Sequence, residues 1–110
     1  MNEEIKNKII ALRNEIQDGN LDPYRVSEML VELTSLFANA NEEVIDASLE
    51  YNRKLLVISE DSESVAKAKL KAETTEEWRR KRQAENLKEW CVEMIRSLKY
   101  FIKSKIEELK

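Results

Sequence analysis

The segment DPYRVSEMLVELTSLFANANEEVIDASLEYNRKLLVI, residues 22–58, predicts one long helix and decides the fold class. Asp22 is a favoured N-cap, and Pro23 suits the first helical position because the N–H that it lacks would have no partner there. Apolar side chains then recur at alternating spacings of four and three residues, which is the heptad pattern of a coiled coil. They are Val26, Leu30, Leu33, Phe37, Ala40, Val44, Ala47 and Tyr51.

Two further helices are predicted on either side of this segment. The first spans about residues 3–18, with Asn2 as its N-cap and Gly19 after its last turn. The last spans about residues 75–109 and starts near Thr75, in a capping-box sequence. Its seam is Ala84, Leu87, Cys91, Met94, Leu98 and Phe101, widened by Trp90, Ile95, Ile102 and Ile106. The connector, about residues 59–74, is expected to be partly helical, as a turn or as part of a longer helix.

Composition agrees with helices alone. The 110 residues include one Gly and one Pro, too few turn residues for a sheet protein. We therefore predict a single all-α domain, an antiparallel helical hairpin of two long amphipathic helices plus a short N-terminal helix. Because such a hairpin is thin, we expect oligomerisation to complete it, and a compact monomeric three-helix bundle is the alternative. The expected oligomer seam is Leu30, Leu33, Phe37, Val44, Leu87, Cys91, Met94, Leu98 and Phe101.

The residue types exclude most catalytic and metal chemistry. The chain has no His, which removes the commonest general base and metal ligand. Its single Cys cannot build a thiolate zinc site, and its single Gly cannot build a phosphate-binding loop. Cys91 lies on the apolar seam and is expected to be a small buried hydrophobe, with a reactive thiol as the alternative. We predict no enzyme activity, cofactor, metal or small-molecule substrate.

Charge is unevenly distributed along the chain. Residues 1–60 carry 6 Lys/Arg and 12 Asp/Glu, whereas residues 61–110 carry 13 and 10. Such asymmetry is typical of a nucleic-acid surface, or of acidic and basic helices that pair between neighbouring subunits. The charged N-terminus is not expected to be a signal peptide, and no run approaches the roughly 18 apolar residues of a membrane span. We therefore expect a cytoplasmic protein with no membrane partner.

Two charged surfaces are candidate binding sites. Basic residues attract phosphates and exposed aromatics stack on unpaired bases. The candidate nucleic-acid-binding residues are Trp78, Arg79, Arg80, Arg82, Arg96, Lys99, Tyr100 and Lys103. Acidic residues interrupt this face, so a plain solvated face and a protein-binding surface remain alternatives. The candidate partner-binding residues, which would mimic nucleic acid, are Glu42, Glu43, Asp46 and Glu50.

Four stretches of the C-terminal two thirds of the chain carry a resemblance: Tyr51-x-x-Lys54-Leu55, Val65-Ala66-Lys67-Ala68-Lys69, Ala84-Glu85 and Met94-Ile95-Arg96-Ser97-Leu98-Lys99-Tyr100-Phe101-Ile102-Lys103-Ser104. They resemble short phage-encoded all-helical accessory proteins. The C-terminal half is similar to the recombination mediator proteins of T-even-type phages. This resemblance implies a homo-oligomer in the host cytoplasm that loads recombinase onto single-stranded DNA.

Three functions follow as hypotheses. The first is an oligomeric accessory protein that supports DNA recombination or replication by binding single strands or a DNA-processing enzyme. The second is a protein–protein inhibitor or adaptor, for example against host defence, that acts through the acidic face. The third is a purely structural assembly module.

Overall fold

The computed structural model describes residues 3–109, which form four helices and no strand, so the all-α prediction is confirmed. The helices are α1 (Glu3–Asp18), α2 (Pro23–Glu60), α3 (Val65–Ala72) and α4 (Glu76–Glu108). The connector predicted at about residues 59–74 contains α3 between two turns. The predicted N-cap Asn2 lies outside the described residues.

Local capping explains where the helices begin and end. The Asp22 carboxylate accepts hydrogen bonds from two backbone N–H groups of the first turn of α2, at 3.0 Å each. The hydroxyls of Ser64 and Thr75 cap α3 and α4 in the same way. Gly19, with φ of 79°, adopts the left-handed conformation that ends α1. The new cap at Thr75 separates α4 from α3.

The main packing is between α2 and α4. The Lys81 ammonium lies 4.7 Å from the ring centroid of Tyr51, and the Lys88 ammonium lies 5.9 Å from that of Phe37. Later residues of α4 thus contact earlier residues of α2, so these helices run antiparallel. The molecule measures 64 × 26 × 20 Å, and its radius of gyration is 18.6 Å. A compact chain of this length would have about 13 Å, so the described structure is elongated.

The core is polarised along this long axis. Large apolar side chains from α1, α2 and α4 form one cluster of buried residues: Ile9, Leu12, Val26, Met29, Leu33, Leu36, Leu87, Cys91, Met94 and Leu98. The other buried residues, towards α3, are five alanines and one tyrosine: Ala40, Ala47, Tyr51, Ala68, Ala72 and Ala84. The end that carries α1 therefore contains most of the buried apolar volume.

The position of α1 changes which residues of α2 are buried. Met29 and Leu36, outside the predicted seam, are buried in the same cluster as Ile9 of α1. The predicted seam residues Leu30 and Phe37 are only half-buried. A helix that contacts two neighbours buries a wider stripe than a strict heptad seam, and here the stripe widens towards α1.

Much of the expected oligomer seam is already used within one chain. Five of its members are buried in the intrachain core: Leu33, Leu87, Cys91, Met94 and Leu98. The other four are half-buried: Leu30, Phe37, Val44 and Phe101. The buried five are therefore not accessible to a second chain in the described structure. Trp90 is half-buried, and the Arg13 guanidinium lies 4.4 Å from its ring centroid.

Candidate nucleic-acid interface

The predicted basic residues fall into two groups on α4, one in its first two turns and one near its C-terminal end. The first group is Trp78, Arg79, Arg80 and Arg82, and the second is Arg96, Lys99, Tyr100 and Lys103. The groups are about 20 residues apart, which corresponds to roughly 30 Å along a helix. Each group therefore has to be assessed by itself.

Arg80 is already paired with acidic residues of α2. Its guanidinium forms a 2.8 Å salt bridge with Glu43 and a 2.5 Å salt bridge with Glu50. The hydrogen bond from Arg80 lowers the pKa of Glu43, against the opposing effect of burial. The predicted phosphate ligand Arg80 and the predicted partner-binding residues Glu43 and Glu50 thus neutralise one another.

The sequence signal for this contact is the charge asymmetry, which predicts pairing with nucleic acid or with a neighbouring subunit. In the structure, Arg80 of the basic helix α4 pairs instead with acidic residues of α2 in the same chain. A second network of this kind joins α1 to α2, where the Arg25 guanidinium contacts Glu15 and Glu32. The hydrogen bond from Arg25 also lowers the pKa of Glu15.

The rest of the first group is mostly paired locally. Arg79 contacts Glu76 at 2.8 Å, and Arg82 contacts Glu85 at 3.1 Å, each three residues away on α4. Such exposed pairs are weak and open readily. Trp78 is half-buried, so its ring is only partly accessible. The first two turns of α4 therefore carry little unpaired positive charge that could bind a phosphate.

The second group forms an exposed basic cluster, which we call the C-terminal basic cluster: Arg96, Lys99, Tyr100 and Lys103. Its spacings of three, four and seven residues place the side chains on one helix face. All four are exposed, and Tyr100 is 73% accessible. None of the three cations lies within salt-bridge distance of an acidic group in residues 3–109. The stretch 94–106 also contains no acidic residue.

This cluster has the chemistry of a small single-strand binding surface. Three free cations can bind phosphate oxygens, and an exposed phenol ring can stack on a base. The cluster spans seven residues, or about 10 Å, so a single chain offers a short site for two or three phosphates. The affinity of one such site is expected to be weak.

The acidic surface is smaller than predicted. Glu42 and Asp46 are exposed, whereas Glu43 and Glu50 contact Arg80. Across residues 3–109, no three His, Cys, Asp or Glu side chains are grouped closely enough to hold a metal ion. Cys91 is fully buried, and burial raises the pKa of its thiol to about 11.

Replacing Arg80 by methionine is expected to lower the free energy of unfolding near pH 7 by about 1–3 kcal/mol, because it removes the charged hydrogen bonds from Arg80 to Glu43 and Glu50 that join α4 to α2. The folded-state pKa of Glu43 lies below its ordinary value of 4.5, so the wild type loses this contribution as pH falls through that lowered value. The difference between wild type and Arg80→Met should therefore shrink on acidification. Urea denaturation at about pH 7 and about pH 3 measures both effects.

The matched control is Arg82→Met, because the partner of Arg82 is one turn away on the same helix. We expect this variant to remain within about 0.5 kcal/mol of wild type. Equal losses in the two variants, or a gap for Arg80→Met that is independent of pH, would contradict the assigned ion pair.

Comparison with known proteins assigns no role to any residue. No protein-family model matches the chain, and no curated protein or solved structure matches it either. Among the residues that the structure describes, no helix has the length and apolar content required to cross a bilayer.

Proposed function

We propose that this chain is a non-enzymatic, oligomeric helical accessory protein of phage type that supports DNA recombination or replication. In this proposal the helical hairpin presents the C-terminal basic cluster to single-stranded nucleic acid, in the host cytoplasm. The carrying observation is that Arg96, Lys99 and Lys103 are exposed on one helix face with no acidic partner in residues 3–109. The resemblance to phage recombination mediators supports the same reading, and a DNA-processing enzyme remains a possible second partner.

The residues have separate roles in this proposal. Arg96, Lys99 and Lys103 bind phosphates, and Tyr100 stacks on an unpaired base. Arg79 and Arg82 contribute only when their local pairs with glutamate open. Trp78 contributes its exposed edge, and Arg80 positions α4 against α2 instead of binding phosphate. Because one cluster holds only a few phosphates, useful affinity requires several chains on one strand, which is the reason for an oligomer.

The proposal predicts salt-sensitive binding to a fluorescent single-stranded DNA of about 30 nucleotides at about 50 mM salt, followed by anisotropy. With three phosphates per chain, the slope of log affinity against log salt should be about −2 per bound chain. Replacing Arg96, Lys99 and Lys103 together by glutamine should weaken binding at least about tenfold. Tyr100→Ala should cost about 1–3 kcal/mol of binding free energy through lost stacking.

The control removes the same number of positive charges elsewhere, by replacing Lys6, Lys8 and Lys54 with glutamine. We expect this variant to bind within about threefold of wild type, because these residues lie outside the cluster and contribute only through net charge. Absence of binding by the wild type, or equal losses in the two triple variants, would overturn the assignment.

The acidic face supports a second candidate, a protein–protein inhibitor or adaptor. Glu42 and Asp46 are exposed on neighbouring turns of α2, and neither forms a salt bridge within residues 3–109. Against this candidate, half of the predicted acidic set already contacts Arg80. Replacing Asp46 by lysine would weaken capture of an anion-mimicry target while leaving DNA binding intact. A chain with neither activity would be left with the third hypothesis, a structural assembly module.

A further inference from the structure

The outer face of α2 carries a second apolar stripe, opposite the face that packs against α4. Its large members, Val31, Ile45, Leu49 and Leu56, are between 50% and 73% exposed. Ala38 lies between them and is also exposed. Ile45 is two residues from the buried Ala47, which corresponds to about 200° around the helix. We call these five residues the outer stripe.

The spacing of the outer stripe is that of a helix–helix contact. Successive members are separated by seven, seven, four and seven residues, which are heptad intervals. A helix with apolar side chains on both faces is normally buried on both faces. In one chain only the inner face is covered, so α2 has an unused contact surface roughly 38 Å long.

We propose that a second copy of this chain packs its own α2 antiparallel on the outer stripe. With the twofold axis level with residue 47, Ile45 faces Leu49 of the second copy, and Ala38 faces Leu56 of the second copy. These pairs obey one register, because the residue numbers in each pair add up to 94. In the same register Val31 faces position 63, beyond the end of α2, so Val31 stays outside the contact. Ala38, the smallest member, thus faces the large Leu56 of the other copy at both ends of the contact, which favours close packing.

Charge complementarity favours this copy and this direction. Glu42, one heptad before Leu49, lies at one edge of the outer stripe, and Arg53 lies on the flank next to this edge; neither forms a salt bridge within residues 3–109. An antiparallel twofold brings equal flanks together, so Glu42 lies beside Arg53 of the second copy, and the pair forms twice. In a parallel, in-register pair the two copies of this flank would lie on opposite sides of the contact, so Glu42 and Arg53 would not meet.

This dimer contact rests on the oligomeric state in the proposed function and specifies the surface through which two copies of the chain bind each other. The contact involves one helix from each chain, so it belongs to the weak class of protein interfaces. We therefore expect a dimer that forms at micromolar concentrations and dissociates on dilution. The C-terminal basic clusters remain free in this dimer, because they lie on α4.

Sedimentation equilibrium in the absence of DNA tests the contact. The wild type should approach twice its monomer mass of 12.9 kDa as concentration rises. Leu49→Glu should raise the dimer dissociation constant at least about tenfold, because it places a charge in an apolar contact. The control is Leu70→Glu, which introduces the same charge at an exposed leucine of α3, outside the outer stripe, and should leave the dissociation constant unchanged. Circular dichroism verifies that both variants are folded.

A charge exchange tests the direction of packing. Glu42→Arg and Arg53→Glu should each weaken the dimer about threefold, and the double variant should restore it. If Leu49→Glu leaves the dimer intact, or if the double variant dimerises no more tightly than the single variants, the outer stripe is not the dimer contact. The proposed oligomeric state itself would not be affected by that result. A wild type that is monomeric at all concentrations would overturn the oligomer as well, and the DNA titration would then decide nucleic-acid binding separately.

Discussion

Leu33→Ala is expected to lower the free energy of unfolding by about 2–5 kcal/mol, the largest single effect that we predict. Leu33 is fully buried in the cluster that joins α1, α2 and α4. Truncation removes three carbon atoms from a cluster to which three helices contribute side chains, so we expect a cavity that the neighbouring side chains fill only in part. Urea denaturation followed by circular dichroism measures the change, and the midpoint should fall while the slope stays constant.

The matched control is Leu70→Ala on α3. Leu70 is 67% exposed, so the same truncation removes little buried area. We expect a change within about 0.5 kcal/mol. If Leu33→Ala were as mild as this control, α1 would not be packed against the α2–α4 pair as described.

The Cys91 thiol is expected to be almost unreactive in the folded protein. Its pKa is raised to about 11 by burial, from 9.0 for a free thiol. At about pH 8 the folded thiol would be about 0.1% ionised and the unfolded one about 9%, so ionisation alone slows labelling roughly 100-fold. Steric exclusion from the fully buried site adds to this. Labelling with a disulfide reagent, with and without denaturant, measures the ratio.

Fast labelling of the folded protein would revive the reactive-thiol alternative. A Cys91→Ala variant gives the background of the assay. Because alanine is smaller than cysteine at a fully buried position, this variant should be slightly less stable than wild type but should remain folded.

Local signals in the sequence were sufficient for the helices themselves. Asp22 and Pro23 identify the start of α2 because capping depends only on residues within one turn. The position of α1 was not predictable in the same way. Met29 and Leu30 are both apolar, and which of them is buried depends on the side of α2 on which α1 packs. The connection between α1 and α2 is only four residues long, residues 19–22, and its sequence does not determine on which side of α2 the helix α1 packs.

The candidate site likewise contains residues whose exposure could be predicted from the sequence and one residue whose pairing could not. The exposure of Arg96 and Lys103 follows from the seam, because residues opposite a buried stripe face solvent. Arg80 and Glu43 are 37 positions apart in sequence, and their pairing depends on the register between α4 and α2. Periodicity along one helix carries no information on that register, so the same basic residue was predicted to bind phosphate.

The uneven core implies that the two ends of the rod differ in how readily they open. The end built from Ile9, Leu33 and Leu98 buries large side chains from three helices, whereas the α3 end is closed mainly by alanines, which bury little area when they pack. Fraying should therefore start at α3 and its flanking turns and spread inwards. Tyr100 and the cations beside it lie at the firmly packed end. Local opening at the α3 end would therefore leave the spacing between them unchanged.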